Sequence, residues 1–203
     1  MRAASLIAFL VLASPALAAE EEKPFYPMKI GTIWTYKLGG QEDKYIFTAV
    51  KEEKIGEQPC VVFEAKFKDE MIASEHVAVL KDGIHRLKFG KEVIEPSICF
   101  LKPTTKKGDS WTQEFKVGEV SASAKFTIDI EDVEVPAAKY KDAVVVRTET
   151  TEKAKKDAKE TTTKTTVWFV KEVGMVKQII DLGDDKITLE LEKIEMPKGG
   201  ATK

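Results

Sequence analysis

From residue 32 to residue 194 the chain alternates apolar and polar positions with a period of two, broken at intervals by Gly, Pro and Asp. Residues 32–38 predict a first strand, ended by Gly39-Gly40. Residues 43–53 predict a second, with Tyr45, Phe47 and Ala49 on one face, and Gly56-Glu57-Gln58-Pro59 breaks it. In residues 60–68, Val61, Phe63, Ala65 and Phe67 alternate with Cys60, Val62, Glu64 and Lys66. Lys68-Asp69-Glu70 is a predicted hairpin tip. Residues 76–81 and 84–89 are predicted strands about the Asp82-Gly83 turn. Residues 92–103, which hold Cys99, read as a bridge to the second half of the chain.

That second half repeats the order of the first. Lys29-Ile-Gly-Thr-Ile-Trp34-Thr35 reappears as Lys106-Lys-Gly-Asp-Ser-Trp111-Thr112, each ahead of a predicted strand. Strands follow over 110–117, 125–135, 142–150, 167–170 and 175–180. The phase of alternation slips between Ile130 and Val133, which predicts a bulge near Glu131-Asp132. A last strand over 186–194 has no predicted counterpart in the first half. Spacing drifts between the halves only at hairpins and breaks, where loops accept length at small entropic cost. Trp34 and Trp111 are therefore expected at equivalent, largely buried positions.

The pattern predicts an all-β chain: a single strongly curved antiparallel sheet, or half-barrel, of about ten to eleven strands. The expected organisation is one β domain over 19–203, with a first half 25–95, a second half 103–181 and the closing strand 186–194. Residues 1–18 are set apart. Arg2, the apolar run 6–12 and Ala16-Leu17-Ala18 have the arrangement of a secretory signal peptide, too short for a spanning helix. The expected location is exported, periplasmic or secreted, with no integral membrane segment in the mature chain.

Charge adds little to this picture. The 34 acidic and 32 basic residues are interspersed, so no electrostatic argument points to nucleic acid. Export makes a Cys60–Cys99 disulfide a candidate, while the alternative is two buried thiols. His76 and His85 flank the Asp82-Gly83 turn, but no further ligand at metal spacing accompanies them. No nucleophile elbow, phosphate loop, dinucleotide fingerprint or Cys-x-x-Cys occurs, so neither catalytic residues nor a cofactor is expected. Trp168 stands where the first half has Ala78, which makes it the candidate for lining a pocket or covering an edge. Residues 152–160 are a charged run between threonine-rich flanks, read as the tip of a solvated hairpin.

Two segments carry a resemblance. Phe25-Tyr26-Pro27-Met28-Lys29-Ile30-Gly31-Thr32-Ile33-Trp34-Thr35-Tyr36 and Trp168-Phe169-Val170-Lys171-Glu172-Val173-Gly174-Met175-Val176-Lys177 resemble the opening and closing motifs of a group of exported bacterial β-sheet proteins. Met28 stands where that group has Leu, a volume-conserving change. The resemblance implies a large curved antiparallel sheet similar to the half-barrel of periplasmic lipoprotein carriers, and no catalytic residue. The expected function is a non-enzymatic binding or carrier module for an apolar small molecule. The alternative is an envelope module that engages protein partners through sheet edges and the 149–166 hairpin.

Overall fold

The computed structural model describes residues 24–39, 41–103, 105–153 and 160–197. The predicted signal peptide and most of the charged run 152–160 lie outside these residues. Twelve strands are described: β1 Ile33–Leu38, β2 Lys44–Ile55, β3 Gln58–Phe67, β4 Glu70–Leu80, β5 Gly83–Phe89, β6 Glu92–Leu101, β7 Ser110–Val117, β8 Val120–Val135, β9 Ala138–Lys153, β10 Thr161–Val170, β11 Gly174–Asp181 and β12 Lys186–Glu195. Each pairs with its neighbours in sequence, and β12 pairs with β1, so the sheet closes into an antiparallel barrel.

This corrects the half-barrel of ten to eleven strands. The additional strand is β6, which the sequence read as a bridge because Pro96, Ser97 and Cys99 interrupt its alternation. Closure follows from β12, whose residues from Leu189 to Glu195 pair along the whole of β1. Pairing on both sides removes the exposed backbone that an open sheet leaves at its edges. Six strands, β1–β6, follow the first Lys-x-Gly segment and six, β7–β12, follow the second.

The repeated Lys-x-Gly segments adopt one backbone form. Gly31 and Gly108 have φ of 86° and 91°, a region that residues with a Cβ rarely enter. Gly31 N donates to Ala49 O at 2.7 Å and Gly108 N to Ile128 O at 2.9 Å. Ala49 N returns to Thr32 O at 3.0 Å, and Ile128 N to Asp109 O at 2.8 Å. The turn thus locks the start of β1 onto β2 and the start of β7 onto β8.

The β12–β1 and β6–β7 junctions differ. β12 and β1 share a full ladder, whereas β6 and β7 pair only at Ile94↔Val117 and Glu95↔Lys116. Pro96 has no amide to continue the ladder. Side chains of β7 bridge the gap: Gln113 Oε1 accepts from Cys99 N at 2.9 Å, and Trp111 Nε1 donates to Cys99 O at 3.1 Å.

Inside the barrel large residues face small ones. Phe47 pairs with Ala65, and Ala49 with Phe63. A twelve-stranded barrel is wider than the eight-stranded form that side chains just fill, and here aromatic rings close one end. Tyr26, from the segment before β1, lies 5.3 Å from Phe63, 6.0 Å from Trp34 and 6.2 Å from Phe169, centroid to centroid. Trp34 Nε1 donates to Val173 O at 2.7 Å, and Tyr36 Oη to Met175 O at 2.9 Å. A Cβ on Gly174 would sit 3.4 Å from Pro27 Cδ and 3.5 Å from Trp34 Nε1. The two segments that carried the resemblance therefore meet in one plug.

The bulge between Glu131 and Val133 occurs as expected. Beyond it the β8–β9 turn reaches β12, where Ala137 N donates to Leu191 O at 2.9 Å. Val133 and Val135 are buried there. Ala143 and Val145, outward by alternation with Val144 and Val146, are buried as well.

Candidate functional site

Above the aromatic plug the barrel holds a cavity of about 200 Å³. Phe47, Phe100, Phe115, Phe126 and Phe169 supply apolar wall, while Tyr45, Glu75, Arg86, Thr148, Thr165 and Gln178 supply polar groups. Alternation explains the wall: these residues occupy inward positions on β2, β4, β5, β6, β7, β8, β9, β10 and β11.

Glu75 and Arg86 are the charged pair among the lining residues. Arg86 Nε donates to Glu75 Oε2, with 36% of the Arg86 side chain and 16% of the Glu75 side chain accessible. The guanidinium also lies 5.6 Å from the Phe100 ring centroid. Burial works against the Arg86 charge, but Glu75 outweighs it, so the pKa is raised above the usual arginine value. Burial pushes the Tyr45 phenol up to about 12, helped by the negative charge of Glu75 and opposed by Arg86. Tyr26 is raised well above its ordinary value, again first by burial and then by Glu75. At neutral pH the cavity therefore presents protonated phenols, hydroxyls, an amide and an internally neutralised ion pair. None of these is placed as a nucleophile with a base beside it.

Trp168 is not among the lining residues. Its neighbours Val167 and Phe169 face the cavity, which sends the indole to the other side of β10. There it pairs with Val145, donates from Nε1 to Glu131 Oε2 at 3.2 Å, and lies 5.9 Å beneath the Lys177 ammonium. Its position covers the outer wall.

Both cysteines are free and buried, so no Cys60–Cys99 bridge is formed. Cys60 packs with Ala78 and Leu87, and its thiol points to Glu53 O at 3.4 Å. Cys99 instead pairs with His85 in the β5–β6 ladder. Burial raises the pKa of each thiol. His76 is buried against Glu53, 2.9 Å from Nε2 to Oε2, with Nδ1 left without a partner.

The sequence reading passed over Glu75 and Arg86. Their signal was present: Glu75 and Val77 share one face of β4, Ile84 and Arg86 share one face of β5, and a tight turn joins the strands. Opposite charges at inward positions on either side of one hairpin mark an interior pair. Thr148 continues the face of Val144 and Val146, whereas Gln178 and Thr165 left no comparable signal, because polar residues at strand positions usually face outward.

No family model matches the chain. No curated protein matches it either. Two solved structures share the fold. One is a provisionally assigned lipoprotein of Parabacteroides distasonis, 11% identical, with a TM-score of 0.52 over 85% of this chain and 99% of that one. The other is a provisionally assigned exported protein of YmcC-like fold from Bacteroides fragilis, 13% identical, with a TM-score of 0.53 over 86% of this chain and 100% of that one. At these identities the likeness is one of fold.

Proposed function

We propose that the protein is an exported, non-enzymatic binding module whose barrel interior takes a small amphipathic molecule. The observation that carries this reading is the cavity itself, with aromatic wall on one side and Tyr45, Gln178, the threonines and the Glu75–Arg86 pair on the other. Binding sites of this class combine apolar surface with a few orienting polar groups. Its volume of about 200 Å³ is below the roughly 300–1,000 Å³ of drug-sized sites, so it suits a small ligand or one end of a longer chain. Because Glu75 neutralises Arg86, the fitting ligand head is uncharged and hydrogen-bonding. The signal-peptide pattern at residues 1–18 and the structural likeness to a protein described as exported support export.

The test is mass spectrometry of natively purified protein, followed by titration with a fluorescent probe whose head is uncharged, a fatty-acid amide. A co-purifying small molecule or saturable probe binding is expected. Thr165→Trp, which narrows the cavity, should weaken probe binding by at least about tenfold, which corresponds to about 1.4 kcal/mol. Absence of both a bound molecule and probe binding overturns the reading.

One observation favours the envelope-interaction alternative. β10 pairs with β9 out to Thr161, but with β11 only from Lys164. Residues Thr161, Thr162 and Thr163 thus carry an edge that could accept an added strand. Deleting residues 151–163, which removes that edge, separates the readings: partner capture is lost under this one, and probe binding is retained under the other.

A further inference from the structure

The outer wall below the β4–β5 turn brings together three donors that the sequence keeps apart. Asp82 sits in the turn, His85 follows on β5, and Cys99 is the register partner of His85 on β6. Their ligand atoms all lie within 4.8 Å of one another. His85 Nε2 is 3.0 Å from Asp82 Oδ1, and Cys99 Sγ is 3.7 Å from the Asp82 carbonyl oxygen. We propose that Asp82, His85 and Cys99 form a zinc site with one coordination position open to solvent.

The donor set fits the ion. Imidazole, thiolate and carboxylate are the ligand types of Zn²⁺, and three protein ligands plus an open position is one of its standard arrangements. Zinc–ligand lengths of about 2.0–2.3 Å put neighbouring ligand atoms roughly 3.3–3.7 Å apart, so the cluster needs a small contraction. Asp82 has the freedom to adjust, because its side chain is 70% exposed, while His85 and Cys99 are buried in the wall.

The surroundings orient the ligands. His85 Nδ1 is 2.9 Å from Ser97 Oγ. With its N–H given to that oxygen, the second contact that metal-bound histidines ordinarily make, the ring presents the Nε2 lone pair on the side of Asp82. Gly83 lets the strands close up: a Cβ there would lie 2.5 Å from Leu101 O and 2.6 Å from Cys99 Sγ. Cys99 itself is fixed through its backbone by Gln113 and Trp111. Binding takes up Zn²⁺ as the Cys99 thiol gives its proton to solvent; no electron is transferred. The site lies on the opposite face of β5 from Arg86, so it is separate from the interior cavity.

The experiment is equilibrium dialysis of the full chain, reduced and freed of metal, against ZnCl₂. One equivalent of zinc is expected. Cys99→Ser and His85→Gln should each lower affinity by at least about a hundredfold, and Ser97→Ala by about ten- to a hundredfold, the usual range for an orienting partner. Cys60→Ser and His76→Gln, which change the other buried thiol and imidazole, should leave binding intact. Co²⁺ substitution gives a reading on wild-type protein alone, so misfolding of a variant does not blunt the test: a thiolate-to-cobalt charge-transfer band is expected. No zinc uptake, no such band, or equal loss in Cys60→Ser overturns the proposal.

Discussion

The indole N–H of Trp34 donates to the carbonyl oxygen of Val173 at 2.7 Å, which ties the first strand to the β10–β11 turn across the closed end of the barrel. Trp111, at the matching place in the repeat, donates instead to Cys99 on the adjoining strand and stacks on Phe126 at 5.0 Å. Trp34 is 1% exposed, and Trp111 is only partly buried. The same local motif therefore does two different jobs.

Trp34→Phe should be the costlier of the two equivalent substitutions. It leaves Val173 O without its donor and opens space in the plug, a loss of about 2–4 kcal/mol. Trp111→Phe should cost about 1 kcal/mol, because its ring already meets solvent. Urea unfolding midpoints at constant slope measure both. Equal losses would refute the assignment of Trp34 as the plug.

Glu75 and Arg86 should behave as a coupled pair. Glu75→Leu or Arg86→Met alone strands one charge in the wall and should destabilise by about 2 kcal/mol, less than for a fully dry pair. The Glu75→Leu/Arg86→Met double variant should recover most of that loss. A double-mutant cycle from chemical denaturation gives the coupling, and additive losses would show that the pair is screened by water.

An alkaline transition should follow from the buried phenols. Burial disfavours phenolate, so the folded-state pKa of Tyr45 is raised from 10.0 to about 12, and those of Tyr26 and Tyr36 also lie well above the ordinary value. The unfolded chain ionises first. This contribution is complete below pH 10 and is lost as pH rises towards about 12. Phenolate absorbance should rise together with loss of the strand signal in circular dichroism. Phenolate appearing well before unfolding would show that these rings are open to water.

Glu53 should shape the acid side. Hydrogen bonds from Lys51 and His76 hold its carboxyl down at about 2, from an ordinary 4.5. The carboxylate therefore favours the folded state above pH 4.5, and that contribution disappears as pH falls through about 2. Glu53→Gln should flatten the fall in thermal midpoint across this window and leave the midpoint between pH 7 and 8 with little pH dependence. An unchanged acid limb would mean that the contacts do not hold in solution.

The β6–β7 junction should open before the β12–β1 junction. It has two ladder pairs where the other has six, and it depends on Gln113 and Trp111 to fill the gap. Native-state hydrogen exchange should therefore be faster at Ile94, Glu95 and Lys116 than at Thr35, Tyr36 and Lys37. The reverse order would place the weak seam elsewhere.

The sequence by itself determined the elements and their order. Period-two alternation marked eleven of the twelve strands, because side chains on a strand must take opposite faces. The slip between Ile130 and Val133 marked the bulge, and the repeated Lys-x-Gly segment marked two turns whose glycine φ differ by only a few degrees. These are local properties, settled by sterics within a few residues. Closure, the fate of each tryptophan, the interior ion pair and the Asp82–His85–Cys99 cluster were decided only by tertiary structure. Each depends on which strands become neighbours: β12 reaches β1, Val173 arrives beneath Trp34, and β6 sets Cys99 beside His85. A disulfide between Cys60 and Cys99 was open to the sequence for the same reason, since two cysteines in a chain carry no record of the strands that will separate them.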